Sequence, residues 1–367
     1  MNKNELQYWV ALSQIDLLGA SKMKKLYSYF PDFSTLWHDA TYSDFIDAGL
    51  NDRTAEIILN KKHQINPEEE LTKLQTENIG VVTIQDSDYP DILREIHNPP
   101  ALLYYKGNKT LFQTECLAIV GTRNMTAYGQ QIAHNISQEL SANQLTTVSG
   151  LALGIDTIVH HSTIQANGST IAVLGSSLDQ KNIYPSSNRS LANNIIEKNG
   201  LIISEFPLGT IPMRHHFPIR NRVISGLSRG TLVIEAGESS GALITAKYAL
   251  EQNREVFAIP GNITSPMSIG TNNLIKQGAT SVNQAEDILE ILNLQSISKA
   301  SDKNIPEGDN DQEKLILAHL NFEPTHFNDL RKKTTLNPSQ LNAALSLMEL
   351  NGKIKNIGNN EYIINYQ

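Results

Sequence analysis

The sequence predicts an α/β fold, an open and mostly parallel sheet with helices on both faces, flanked by a small helical module and a C-terminal winged helix. Three observations carry this. From residue 79 to 292, short β-rich apolar runs alternate with helix-length stretches. Before them lies a segment with apolar residues only at helical spacing. After them, a polar stretch leads to three helix-like segments and a hairpin. At about 150 residues per domain, 367 residues suit two or three domains.

Residues 1–65 place Leu6, Trp9, Val10 and Leu12, then Met23, Leu26, Tyr27 and Phe30, at helical intervals. Turn or cap signals separate the segments at residues 19–21, 31–32 and 50–52. This rhythm suits a SAM-like or helix-hairpin-helix module. Residues 66–292 form the core, with strands at 81–84, 117–120, 146–149, 170–174, 201–204, 232–235 and 256–259 and helices at 127–140, 156–166, 187–198 and 243–252. Strands buried on both faces read as continuous apolar runs, as these do, so a Rossmann-like sheet is expected. Residues 293–312 are polar and aperiodic, a linker. In 313–367, helices at 314–320, 327–333 and 338–350 precede a turn at Asn351-Gly352 and two short strands, the order of a winged helix.

Composition excludes several classes. Hydrophobic residues at 40% supply real cores, which rules out a disordered polyelectrolyte. A net charge of −8 argues against a protein that coats nucleic acid with bulk positive charge. No run approaches the ~18 apolar residues of a membrane span, and the N-terminus lacks a signal peptide's order, so a soluble cytoplasmic protein is expected. Cys116 is the only cysteine, and no CxxC or HExxH spacing offers a metal site.

Four segments carry chemistry. At 117–137 an apolar strand runs into Gly121-Thr122-Arg123, a polar loop and a helix. Gly121 permits close backbone approach, Thr122 offers a hydroxyl and Arg123 can fork onto a phosphate; a tight turn with a surface arginine is the plainer reading. The spacing is not that of a Walker A loop. At the next junction, Ser149-Gly150 through Gly154 lacks the three glycines of GxGxxG, and no acidic ribose hook follows, which disfavours a dinucleotide. Asp156 reads better as a helix cap than as a metal partner of His160, and His161 as solvated. Residues 206–234 hold no Asp or Glu but carry Arg214, Arg220, Arg222 and Arg229, with Phe217 among them. Arginines beside an aromatic suit single-stranded nucleic acid, although a solvated loop would also contain them. The fourth, residues 233–245, brings Ser240, Gly241 and Thr245 to a strand-to-helix turn, an anion site or a plain cap. Glu205 and Glu235 end strands, but no nucleophile with a partnered base accompanies them.

Together these segments resemble the DNA-processing protein A family (DprA or Smf). The matching strings are AIVGTRN, VSGLALGIDTIVHH, TIAVLGSSLDQKNIYPSSN, SEFPLGTIPMRHHFPIRNRVISGLS, TLVIEAGESSGALITAKYALEQNREVFAIPGN and GTNNLIKQGA, in order over most of 117–280. The resemblance implies a non-enzymatic cytoplasmic protein, without cofactor or metal. It would bind incoming single-stranded DNA during natural transformation, protect it and help load RecA recombinase, working as a homodimer. By motif position, Gly121, Thr122 and Arg123 would line a phosphate pocket, with Ser149 and Gly150 on the next strand end. Arg214, Phe217, Arg220, Asn221 and Arg222 would give basic and aromatic contacts, Ser240, Gly241 and Thr245 the wall, and Lys276 a further contact. Ser177 departs from the family, which often has glycine there.

Two other classes compete. A nucleotide-monophosphate hydrolase of the LOG or lysine-decarboxylase-like type would carry PGGxGTxxE, where this chain reads EAGESSGALITA. A transcription regulator would read DNA with its third winged-helix segment, but PSQLNAALSLMEL has no Arg or Lys. For a dimer contact, Ile288, Leu289, Ile291 and Leu292 offer an apolar helical face that serves a core equally well.

Overall fold

A computed structural model describes residues 3–294, 308–320, 325–358 and 360–364. The chain divides into two compact units, 1–297 and 298–367. The central part of the linker expected at 293–312 lies outside the described residues.

Unit 1 opens with six helices: α1 (Lys3–Ser13), α2 (Ala20–Tyr29), α3 (Phe33–Asp39), α4 (Tyr42–Asp47), α5 (Asp52–Lys62) and α6 (Pro67–Thr76). Their starts follow from capping chemistry. The Asp32 carboxylate accepts from Thr35 N at 2.6 Å and the Asn51 side chain from Thr54 N at 3.0 Å, while Pro67 needs no N–H at its first-turn position. Trp9 packs on Phe33 with ring centres 4.4 Å apart. Their apolar cluster runs on into Leu102, Leu103 and Tyr104 of the sheet, and Ser13 Oγ meets the Tyr104 hydroxyl at 2.5 Å.

The rest of unit 1 alternates as β1 (Gly80–Thr83), α7 (Asp91–Arg94), β2 (Leu102–Gly107), β3 (Cys116–Val120), α8 (Ala127–Ala142), β4 (Thr146–Ser149), α9 (Ile155–Gln165), β5 (Thr170–Leu174), α10 (Arg189–Glu197) and β6 (Leu201–Ser204). It continues with α11 (His216–Gly226), β7 (Gly230–Val233), α12 (Gly241–Glu251), β8 (Glu255–Ala258), α13 (Ile269–Lys276), β9 (Thr280–Ser281) and α14 (Ala285–Ile291). The sheet order is β1-β2-β6-β5-β4-β3-β7-β8-β9, parallel from β6 to β9. Strands β1 and β2 extend it antiparallel. β2 and β9 add to the strands read from sequence: β2 follows Pro99-Pro100 and has no helix-linked parallel spacing, and β9 has two residues.

β3, β4 and β5 are buried throughout, which explains their unbroken apolar character. Cys116 sits in β3, and burial pushes its thiol up to about 12. Ile288 and Leu289 of α14 and Leu292 just after it are buried against α8, so this face is core; of the four apolar residues Ile291 is the exposed one. Because β3 lies between β4 and β7, the order of strand addition reverses there, and the loops leaving the carboxyl ends of β3 and β7 part to form a crevice.

Unit 2 contains α15 (Asp311–Leu317), β10 (Thr325–His326), α16 (Phe327–Thr334), α17 (Pro338–Leu350), β11 (Ile354–Gly358) and β12 (Glu361–Ile364). Its sheet order, β10-β12-β11, completes a winged helix around Ile316, Leu330, Leu341, Leu345, Met348 and Ile354. Lys353 is buried against two carboxylates, Glu313 and Asp309, each at 2.7 Å.

Candidate functional site

The crevice opens into a cleft of about 750 Å³, walled by the loops after β3, β4 and β7 and by one face of α11. The β3 and β7 loops are stitched at its base: Thr122 N donates to Glu235 O at 2.7 Å. The Glu235 carboxylate accepts from Thr126 N at 2.9 Å and from Thr126 Oγ1 at 2.6 Å. It thus sits at the amino end of α8, where the helix dipole favours a negative charge. Glu235 is buried and fully engaged, and Glu205 is held by Arg222, so neither carboxylate is placed as a general acid or base.

The face of α11 determines which arginines reach the cleft. Phe217, Arg220, Asn221 and Ile224 repeat at three- and four-residue intervals and line it, with Arg214 just before the helix. Arg222 is two residues from Arg220 and points elsewhere. It is 7% exposed, and its Nη2 contacts both Glu205 oxygens at 2.5 Å, which removes it from the contacts expected of it. Arg229 lies at the start of β7, paired with Glu115 at 3.1 Å. The four-arginine patch therefore divides: Arg214 and Arg220 face the cleft with Arg123, while Arg222 and Arg229 are paired outside it.

Arg220 is 5% exposed and forms the floor. Its Nη1 donates to Gly150 O at 2.6 Å and to Val173 O. Burial lowers its pKa to about 10, against the opposing pull of Asp156. Asp156 is pushed up by burial, an effect countered by Arg220 and by the N–H groups of Ala152 and Gly150. It accepts from these at 3.3 and 3.1 Å, so it braces the loop before α9; Gly154 stands at the cap position of that helix. A Cβ on Gly150 would lie 2.7 Å from the Arg220 guanidinium, and one on Gly121 would lie 2.5 Å from Ile155 Cγ1. Both glycines are thus required by packing within the protein.

Arg123 and Arg214 are the exposed cations of the cleft. The Arg123 guanidinium carbon stands 5.7 Å from the centre of the Phe217 ring. Tyr184 was not singled out from the sequence, yet it lines the same wall, its ring 5.6 Å from Phe217 and tilted by 46°. Its signal was the exposed aromatic in IYPSSN, 33 residues before Phe217 and unrelated to it by any local spacing. Met267 was also missed; Thr122 Oγ1 points at its sulfur, 3.7 Å away.

On the far wall, Ser240 caps α12, accepting from Ala242 N at 3.4 Å, and Gly241 and Thr245 complete the surface. Asn221 Nδ2 donates to Gly241 O at 3.4 Å. Besides Arg222, two further expected contacts lie elsewhere. Ser149 is fully buried, its hydroxyl spent on Ile119 O at 2.7 Å, and Lys276 is exposed at the end of α13, outside the cleft lining. His160 is buried beside Thr170 Oγ1 at 2.8 Å, and burial lowers its pKa to about 3. Among the described residues, no cluster of three His, Cys, Asp or Glu could hold a metal ion.

A parallel sheet with no dinucleotide fingerprint, whose switch-point crevice holds exposed arginines, two mutually tilted aromatic rings and a helix N-terminus, defines a Rossmann-like protein with a cationic crevice. The chain belongs to the DNA recombination-mediator protein A family, whose profile matches residues 80–293; the DprA winged helix domain matches 300–358. It is 40% identical to protein Smf of Synechocystis over 84% of this chain and 78% of that one. It is 44% identical to DNA processing protein DprA of Bacillus subtilis over 60% of this chain and 74% of that one. The crystal structure of DprA from Streptococcus pneumoniae covers 77% of this chain and 97% of its own, at 35% identity and a TM-score of 0.68. A structure of DNA processing protein A from Helicobacter pylori, described for its single-stranded DNA binding mode, covers 58% and 95% at 30% identity and a TM-score of 0.53.

Proposed function

We propose that the cleft binds single-stranded DNA, that the chain does so without catalysis, and that it acts in the cytoplasm as a homodimer that protects transforming DNA and helps load RecA recombinase. The observation that carries the DNA reading is the grouping of Arg123, Arg214, Phe217 and Tyr184 at one cleft mouth. Phosphates need exposed cations and unpaired bases need ring faces, and here the Arg123 guanidinium stands 5.7 Å and the Tyr184 ring 5.6 Å from the centre of the Phe217 ring. Arg123 and Arg214 take phosphates, and Phe217 and Tyr184 take bases. Thr122, Asn221, Ser240, Gly241 and Thr245 supply hydrogen-bonding groups. Arg220 adds positive potential from the floor while holding Gly150 in place. The single-stranded DNA mode described for the Helicobacter pylori relative supports this reading. The recombinase and dimer roles rest on family membership.

The test is fluorescence anisotropy of a labelled single-stranded oligonucleotide across a salt series, with wild type, Arg123→Ala and Arg214→Ala. Each variant is expected to bind about tenfold more weakly, with a shallower salt dependence. Unchanged affinity and slope in both would refute the assignment.

A further inference from the structure

We propose that the winged-helix unit is a separate binding surface for double-stranded DNA, with α17 in the major groove and the end of α16 on the phosphates. The reading helix has no cation of its own, but the structure places cations next to it in the chain. Arg331, Lys332 and Lys333 are exposed in the last turn of α16, directly before the turn into α17. Residues 331–348 contain these three basic side chains and no carboxylate.

Internal pairing sharpens the imbalance. Lys353 takes up Glu313 and Asp309, while Lys332 has only a surface contact with Asp329 at 3.5 Å. Arg331, Lys333 and the exposed Lys355 of β11 have no carboxylate in ion-pair range among the described residues. A helix C-terminus attracts about half a unit of positive charge, so three cations exceed what α16 needs.

α17 is suited to base edges. Leu341, Ala344, Leu345 and Met348 fix one face to the core. The opposite face exposes Ser339, Gln340, Asn342, Ala343 and Ser346, all short or hydrogen-bonding and uncharged. Asn and Gln can pair with the adenine edge, and Ala can meet a thymine methyl. In helix-turn-helix docking, such amino-terminal positions enter the groove. The deep, narrow major groove of duplex RNA does not admit this helix, which selects B-form DNA. Leu347 and Leu350 are also exposed, but they lie at the other end of α17 and are the alternative, a protein-docking surface.

The test uses the full chain and a labelled 30-base-pair duplex, with a single-stranded oligonucleotide measured in parallel. Arg331→Ala/Lys332→Ala/Lys333→Ala should weaken duplex binding at least tenfold and reduce its salt slope by about 2 to 3. Gln340→Ala/Asn342→Ala should weaken it severalfold at unchanged slope. Single-strand binding should stay within twofold, so failure of this surface and failure of the cleft are distinguishable. No duplex binding by wild type, duplex binding lost in Arg123→Ala but kept in the triple variant, or equal competition by duplex RNA would overturn the proposal. Loss of duplex binding in Leu347→Ser/Leu350→Ser but not in the triple variant would overturn it in favour of the apolar end.

Discussion

In the free protein the Arg123 guanidinium lies over the Phe217 ring, 5.7 Å from its centre. Each group is thus the other's occupant before DNA arrives. A cation–π contact of about 0.5–1 kcal/mol holds the pair, weak enough for a phosphate to draw the arginine away and expose the ring to a base. In the proposed single-strand mode, phosphate capture and base stacking would therefore be coupled. We expect Arg123→Ala and Phe217→Leu each to weaken single-strand binding, Phe217→Leu by roughly 1–3 kcal/mol, and the double variant to lose less than the sum. A double-mutant cycle by anisotropy checks this; strict additivity would show that the two act independently.

Arg222→Ala should affect stability and leave binding alone. It strands Glu205, whose partner sits 2.5 Å away and is 9% exposed at the side chain. Removing one member of such a buried pair costs about 3 kcal/mol. Urea unfolding should reveal the loss, while the folded fraction keeps wild-type affinity for single-stranded DNA. A selective loss of binding would place Arg222 back among the DNA contacts.

Gly150→Ala tests the floor. Its Cβ would stand 2.7 Å from the Arg220 guanidinium, and the side chain cannot retreat while bonded to Gly150 O and Val173 O. Overpacking of this kind costs roughly 1–3 kcal/mol. We expect a lower urea midpoint together with weaker single-strand binding. Gly241→Ala serves as the control for the urea midpoint alone, because nothing lies within 4 Å of its added Cβ.

Acid should weaken unit 1 through His160. Its folded pKa of about 3 lies below the ordinary 6.5. Below pH 6.5 the unfolded chain takes up a proton that the folded chain refuses, so stability falls as pH drops from 6.5 towards 3. By pH 5 this group alone costs about 2 kcal/mol. Urea midpoints at pH 7 and 5 should diverge in wild type and converge in His160→Gln; an equal divergence in both would assign the acid sensitivity to other groups.

The sequence displayed much of the fold because buried parallel strands have no polar face to hide: β3, β5 and β8 are plain apolar runs. It displayed the β3 and β7 loops because each joins a strand to a helix. Helical phase was less visible. Arg220 and Arg222 look alike in RNR, yet one turns to the cleft and the other to Glu205. Long-range contact was not visible at all, which is why Tyr184 escaped notice and why nothing in the sequence showed that Gly121 makes room for Ile155 and Gly150 for Arg220.

The stitch between Thr122 N and Glu235 O joins positions 113 residues apart. β3 cannot gain its neighbour β7 until the intervening strands and helices have been synthesised. Such non-local parallel pairing forms late. A chain still emerging from the ribosome thus carries Arg123 without the wall opposite it, and the cleft comes into being near the end of translation of unit 1. Until then the proposed single-strand site lacks the wall formed by Ser240, Gly241 and Thr245.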